Sequence, residues 1–254
     1  MGEPLSGGVG KSEKQILRAL RNADFLDDRA ARPLRILAEY LEPQWVLERR
    51  KIRNTIAFFG SARIGPPGNS DAAPELAHYF DATRELARRL TEWSLKIPKP
   101  SRRYVVCSGG GPGLMEATNQ GAAEAGGETL GLGIALPHEQ GSNRHISPGL
   151  DLQFHYFFMR KFWFSYLAKA IVVMPGGFGT LDELMEMLTL AQTEKKKNPP
   201  PLVLFGTAFW DEVLDFSPMV RLGTISPEDV ELFYKTDSVD DAFAHITSRL
   251  DGPP

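Results

Sequence analysis

The residues best suited to chemistry lie in one run, Met174-Pro175-Gly176-Gly177-Phe178-Gly179-Thr180-Leu181-Asp182-Glu183. Gly176, Gly177 and Gly179 let the main chain approach a ligand closely. An apolar run, Ala170–Val173, precedes this stretch, and an amphipathic one, Leu184–Ala191, follows it. The order reads as strand, glycine turn, helix. A helix starting there turns its free N–H groups and positive dipole end toward the turn, which suits a phosphate. Glu183 is expected in the first helical turn. The dipole would favour its carboxylate form, which fits a general base or an electrostatic stabiliser. Thr180-x-x-Glu183 also has the spacing of a capping box, which would account for both residues without catalysis.

A second glycine turn, Ser108-Gly109-Gly110-Gly111-Pro112-Gly113, follows the apolar run Tyr104–Cys107. In a doubly wound sheet such turns lie at the carboxyl ends of strands, so two of them could grip one phosphate. Each alone could also be a tight turn without a ligand. Neither is a P-loop, because no lysine follows the glycines, and the dinucleotide fingerprint read from Gly109 fails at Leu114. Ser61 and Ser108 are not in a G-x-S-x-G elbow. His78, His138, His145, His155 and His245 lack metal-ligand spacing, and no metal site is expected. Arg160 and Lys161 interrupt the aromatics Phe157, Phe158, Phe162, Trp163 and Phe164. They could snorkel from the edge of a buried helix, or Arg160 could fork onto a phosphate or carboxylate in a pocket wall.

The surrounding pattern supplies elements to position these groups. Strands are expected at Thr55–Phe59 (ending in Gly60-Ser61), Tyr104–Cys107, 129–136, Leu150–Phe154, Ala170–Val173, Leu202–Phe205 and Leu232–Lys235. Helices are expected at Pro74–Trp93, Leu114–Ala125, Phe157–Ala168, 180–193, Phe209–Phe216 and Asp240–Leu250. This alternation predicts an α/β fold, a Rossmann-like doubly wound parallel sheet with helices on both faces. Ahead of it, residues 1–50 read as a flexible tail and a helical extension packed on the main domain, with residues 51–254 forming a single nucleotide-binding domain. Leu34, Leu37, Ala38 and Leu41 make a stripe on a helix from Pro33 that Pro43 should end or kink.

The chain has 254 residues, 42% hydrophobic and 24% charged, with a net charge of -3. A balance this close to neutral gives no basic footprint for nucleic acid. Cys107 is the single cysteine, which excludes an internal disulfide and fits a reducing, cytoplasmic setting. No signal peptide is read at the start of this sequence. Arg160, Lys161 and Lys169 break the one long apolar region, so no membrane span is expected.

Pro175-Gly176-Gly177-Phe178-Gly179-Thr180-Leu181-Asp182-Glu183 resembles the P-G-G-x-G-T-x-x-E signature of the LOG (Lonely Guy) family, whose members were long labelled possible lysine decarboxylases. Gly60-Ser61, the run from Ser108 to Glu116, residues 136–140, Asn143 and Phe157–Lys161 look like further family segments in family order. The resemblance covers about Thr55 to Phe205. It implies hydrolysis of the N-glycosidic bond of a nucleoside 5′-monophosphate, AMP or an N6-modified, cytokinin-type AMP, to free base and ribose 5-phosphate. Arg160 and Glu183 match the family's catalytic residues. By the same resemblance Ser61, Gly110, Gly111, Gly113, Gly176, Gly177, Gly179 and Thr180 would hold the phosphate and ribose, and Leu114, Met115 and Lys161 could border the base. No cofactor is implied, and a homodimer or higher homo-oligomer is. The alternative is a carrier that binds a nucleotide or phosphorylated cofactor without turnover, since fold does not fix function. A decarboxylase would need pyridoxal phosphate on a Schiff-base lysine, which nothing in the sequence marks.

Overall fold

The computed structural model describes residues 19–135, 141–193, 195 and 199–250. A helix that the spacing also predicts over residues 15–26 lies partly outside these residues, and the 136–140 segment lies wholly outside them. The chain divides into two compact units, Met1–Trp45 and Val46–Pro254.

In the first unit, α1 (Ala23–Asp27) is capped by the Asn22 side chain, which accepts from the Phe25 N–H at 3.3 Å. Asp28 then accepts from the Ala30 N–H at 2.7 Å to start a short 3-10 turn. Helix α2 starts in this unit and spans Arg32–Arg50, with Pro43 inside it. Pro43 therefore does not end the helix as its ring would suggest. A proline removes one backbone bond, but the flanking Leu, Glu, Gln and Arg residues are good helix formers that carry the helix past it.

The second unit alternates strand and helix. Its elements are β1 (Asn54–Phe59), α3 (His78–Leu95), β2 (Tyr104–Ser108), α4 (Leu114–Glu124), β3 (Thr129–Ile134), β4 (Asp151–Phe154) and α5 (Phe157–Leu167). They continue with β5 (Ala168–Val173), α6 (Phe178–Gln192), β6 (Leu202–Phe205), α7 (Thr207–Val213), α8 (Ser217–Arg221), β7 (Tyr234–Thr236) and α9 (Val239–Thr247). The strands form one sheet in the order β4-β3-β2-β1-β5-β6-β7, and every neighbouring pair is parallel. Strand β5 starts at Ala168, directly after α5, so the expected helix ends one residue early.

Alternation along β1 sends its side chains to both faces of the sheet. Ile56 and Phe58 join one core with Leu86 and Leu90 of α3, Leu114 and Ala117 of α4, and Ile246 of α9. On the other face Phe59 meets Phe164 of α5, ring centroids 4.9 Å apart. Both faces are covered, so β1 is buried from Thr55 to Phe59. This explains why β1 reads as a continuous apolar run. Strand β1 pairs with β2 on one side and β5 on the other, so the strand order reverses there. At such a reversal the loops leave the carboxyl ends in opposite directions and open a crevice.

Candidate active site

A cleft of about 590 Å³ occupies that crevice. Gly60, Ser61 and Arg63 after β1 form one wall, and Gly109 and Gly111 after β2 form the next. Met115 of α4 and Phe157 and Arg160 of α5 extend it, and Gly177 to Thr180 with Glu183 of α6 close it.

The three loops are laced together through their backbones. The Ser61 N–H donates to the Pro175 carbonyl, and the Leu114 N–H donates to the Ser61 carbonyl, both at 3.0 Å. Gly113 has φ 67° and ψ -132°, a region open essentially to glycine alone. A Cβ on it would lie 2.5 Å from the Ala62 carbonyl oxygen. A buried polar network holds the loop after β2. Ser108 Oγ donates to Asn119 Oδ1 at 2.6 Å, and Asn119 Nδ2 donates to Thr129 Oγ1 at 2.5 Å. Asn143 Nδ2 donates to Asn119 Oδ1 at 2.9 Å and to the Gly110 and Gly111 carbonyls at 2.9 and 3.1 Å. With its carbonyls engaged from below, this loop meets the cleft as a fixed surface.

Helix α6 begins at Phe178, with Gly177 as its cap and no side chain capping it. The expected capping box is absent, because Thr180 lies inside the first turn and Glu183 in the second. The first turn holds no acidic residue. Both side chains are turned into the protein, and Glu183 is only 3% exposed. Among the described residues its Oε2 is buried without a hydrogen-bond partner. Burial pushes the Glu183 carboxyl up to about 7, against the pull of Arg160 and Lys161. Burial thus moves Glu183 opposite to the direction the helix end favours, since desolvation outweighs the cations and the helix end together.

Arg160 faces Glu183, its Nη1 3.8 Å from Oε1. Its Nε donates to the Leu132 carbonyl at 2.9 Å, and its guanidinium lies 5.3 Å from the Phe164 ring centroid. A Cβ on Gly109 would approach Arg160 Nη2 to 2.7 Å, so that glycine makes room for the guanidinium. Arg160 is therefore fixed in the cleft wall by strand, ring and glycine. A carboxyl that titrates near neutrality can accept or donate a proton at neutral pH, and a fixed cation beside it can hold an anionic or hydroxyl group.

The other sequence-named residues divide. Ser61, Gly111, Gly177, Gly179, Thr180 and Met115 line the cleft. Gly110 instead borders an adjoining recess of about 120 Å³. Gly113 packs on the β1 loop, and Gly176 packs on Thr180, whose Oγ1 would be 2.1 Å from an added Cβ. Leu114 is in the core and does not line the cleft. Lys161 bridges to Asp182 Oδ1 at 2.7 Å and Glu186 Oε2 at 3.1 Å. Burial alone would lower the Lys161 pKa, but these hydrogen bonds outweigh it and raise the value. An ammonium so held is a poor Schiff-base nucleophile. Arg63 was not singled out from sequence. Its signal was a basic residue two positions beyond Gly60-Ser61, at the end of the central strand.

A parallel α/β sheet with glycine turns, a fixed arginine and a buried carboxyl at its switch point belongs to the ligand-binding doubly wound class. More narrowly, the chain belongs to the LOG family, whose family model, described as "Possible lysine decarboxylase", matches residues 115–246. It is 28% identical over 184 residues to the cytokinin riboside 5′-monophosphate phosphoribohydrolase LOG7 of Arabidopsis thaliana, covering 68% of this chain and 80% of that protein. The X-ray structure of the structural-genomics target TM1055 is 25% identical, with a TM-score of 0.50, covering 77% of this chain and 99% of that one. The molybdenum cofactor carrier protein of Chlamydomonas reinhardtii is 20% identical, with a TM-score of 0.49, covering 78% and 98%. No helix among the described residues is long and apolar enough to cross a membrane.

Proposed function

We propose that the cleft hydrolyses the N-glycosidic bond of a nucleoside 5′-monophosphate, AMP or an N6-modified AMP, to free base and ribose 5-phosphate. One observation carries this reading. Glu183 is buried, finds no partner for Oε2 among the described residues, titrates near neutrality and faces Arg160 across 3.8 Å. An uncompensated carboxyl is costly in a fold, and such groups gather where a reaction needs them.

In the reaction the C1′–N bond breaks, its electron pair passes to the base, and the ribose gains oxocarbenium character. Ionised Glu183 stabilises that charge and takes a proton from the water that attacks C1′; the departing base takes up a proton from solvent, and Glu183 returns its own to solvent, so that one water adds across the broken bond. Arg160 orients Glu183 and the sugar. The N–H groups at the start of α6, with Thr180, Ser61 and the loop after β2, hold the phosphate, a remote anchor that fixes C1′ against the carboxylate. Phe59, Met115, Ile134 and Phe157 give the cleft the apolar walls a flat base needs. The Arabidopsis relative's name supports the same chemistry.

The protein works in the cytoplasm as a homodimer or higher homo-oligomer. In support, α5 exposes Phe158, Phe162 and Tyr166 at four-residue intervals.

The test is release of free base from AMP and from isopentenyladenosine monophosphate, with Glu183→Ala as control. Release from either that collapses in the variant supports the proposal. Stoichiometric nucleotide binding with no base released from either would replace it with a carrier.

A further inference from the structure

Resting on the nucleotide reading of the cleft, we infer that Arg63 is the cation that clamps the 5′-phosphate dianion and selects phosphorylated over unphosphorylated nucleosides. The described residues lining the cleft include two that carry positive charge, Arg63 and Arg160. Arg160 is engaged by the Leu132 carbonyl, the Phe164 ring and Glu183. A phosphate seated at the start of α6 meets backbone N–H groups and a helix dipole there, and Arg160 is already committed to the carboxyl. Arg63 has an exposed side chain and makes no ion pair among the described residues.

Its main chain, in contrast, is firmly anchored. The Arg63 N–H donates to Ser61 Oγ at 3.1 Å. Its carbonyl accepts from Ser70 Oγ at 3.2 Å and from the Asp71 and Ala72 N–H groups at 3.0 and 3.1 Å. The same loop is tied to Pro175 through the Ser61 N–H, so Arg63 and the phosphate-facing turn before α6 share one rigid frame. An anchored backbone carrying a free guanidinium at the rim of an anion-binding cleft is suited to forked hydrogen bonds to phosphate oxygens. Because the group is exposed, its contribution should be screened by salt.

The experiment compares the full chain with Arg63→Gln and Arg63→Lys. Binding of AMP, adenosine and ribose 5-phosphate is measured by calorimetry at low and high salt, with base release from AMP alongside. Arg63→Gln is expected to weaken AMP and ribose 5-phosphate about tenfold and leave adenosine unchanged. It should also flatten the salt dependence and raise KM more than it lowers kcat, with Arg63→Lys recovering part of the loss. Unchanged affinity for both phosphate esters in Arg63→Gln overturns the inference while leaving the hydrolase reading intact. Arg63-dependent binding without base release does the reverse. An unmodified chain that binds neither ester overturns both.

Discussion

Replacing Glu183 with glutamine should stabilise the fold and abolish the chemistry, with a pH dependence that identifies the cause. The carboxyl is moved from its ordinary 4.5 up to about 7 by burial. That difference corresponds to about 3 kcal/mol spent on holding an ionised group in the cleft wall. The sign follows from linkage, since a raised folded-state value means the native protein binds the proton more tightly than the unfolded chain. The parent therefore carries no penalty below about pH 4.5, loses stability as the pH climbs toward 7, and levels off above it. Glutamine cannot ionise and approximates the protonated acid in shape. Urea unfolding of the two proteins should thus nearly coincide at pH 4.5 and differ by about 3 kcal/mol at pH 8, with the variant the more stable. In thermal scans this is about 6 to 12 °C. Base release should fall by ~100-fold or more. A stability difference that does not vary with pH, or one that favours the parent at pH 8, would refute the burial argument.

Lys161→Met removes the cation that neutralises Asp182 and Glu186 beside the site. Glu183 should then titrate higher, moving the ascending limb of the pH–rate profile to higher pH, and an unmoved profile would sever Lys161 from the site. Gly113→Ala should cost roughly 2 kcal/mol or more in urea unfolding, because alanine resists that backbone conformation and meets the Ala62 carbonyl. Asn119→Ala takes the partner that the Ser108 and Thr129 hydroxyls share out of a buried network. A loss of about 2 kcal/mol and a raised KM for AMP are expected, checked by denaturation and steady-state kinetics.

The central strands were legible because they are buried on both faces and read as apolar runs, as in Thr55–Phe59 and Ala170–Val173, whereas the edge strands β4 and β7 keep exposed residues. The glycine turns were legible because their conformations admit little else, as at Gly113. Strand order was not, since nothing local tells β1 that its second neighbour is β5. The start of α6 was misplaced because Thr180 has capping chemistry, while the turn actually closes on Gly177, which offers only backbone. The upward pull of burial on Glu183 was illegible for a related reason. The helix-end charge can be read from sequence, but the burial that outweighs it depends on how the other elements close round α6, which no local pattern records. Leu114 went astray similarly, because a helix start next to a glycine loop does not reveal which side faces the core. Arg63 escaped notice because an isolated arginine in a loop has no local pattern, and its importance comes from the neighbours the sheet gives it.

The pairing of Thr55 with Ala168 bears on how the chain acquires its shape. A ribosome releasing this protein delivers β1 to β4 long before β5 exists, leaving the central strand with one naked edge. The crevice has only one bank until Met174 emerges, and no carboxyl until Glu183 follows. Parallel pairings that wait so long are slow, and an open apolar edge is sticky in the interval. Truncated products ending before β5 should therefore be aggregation-prone and unable to retain nucleotide.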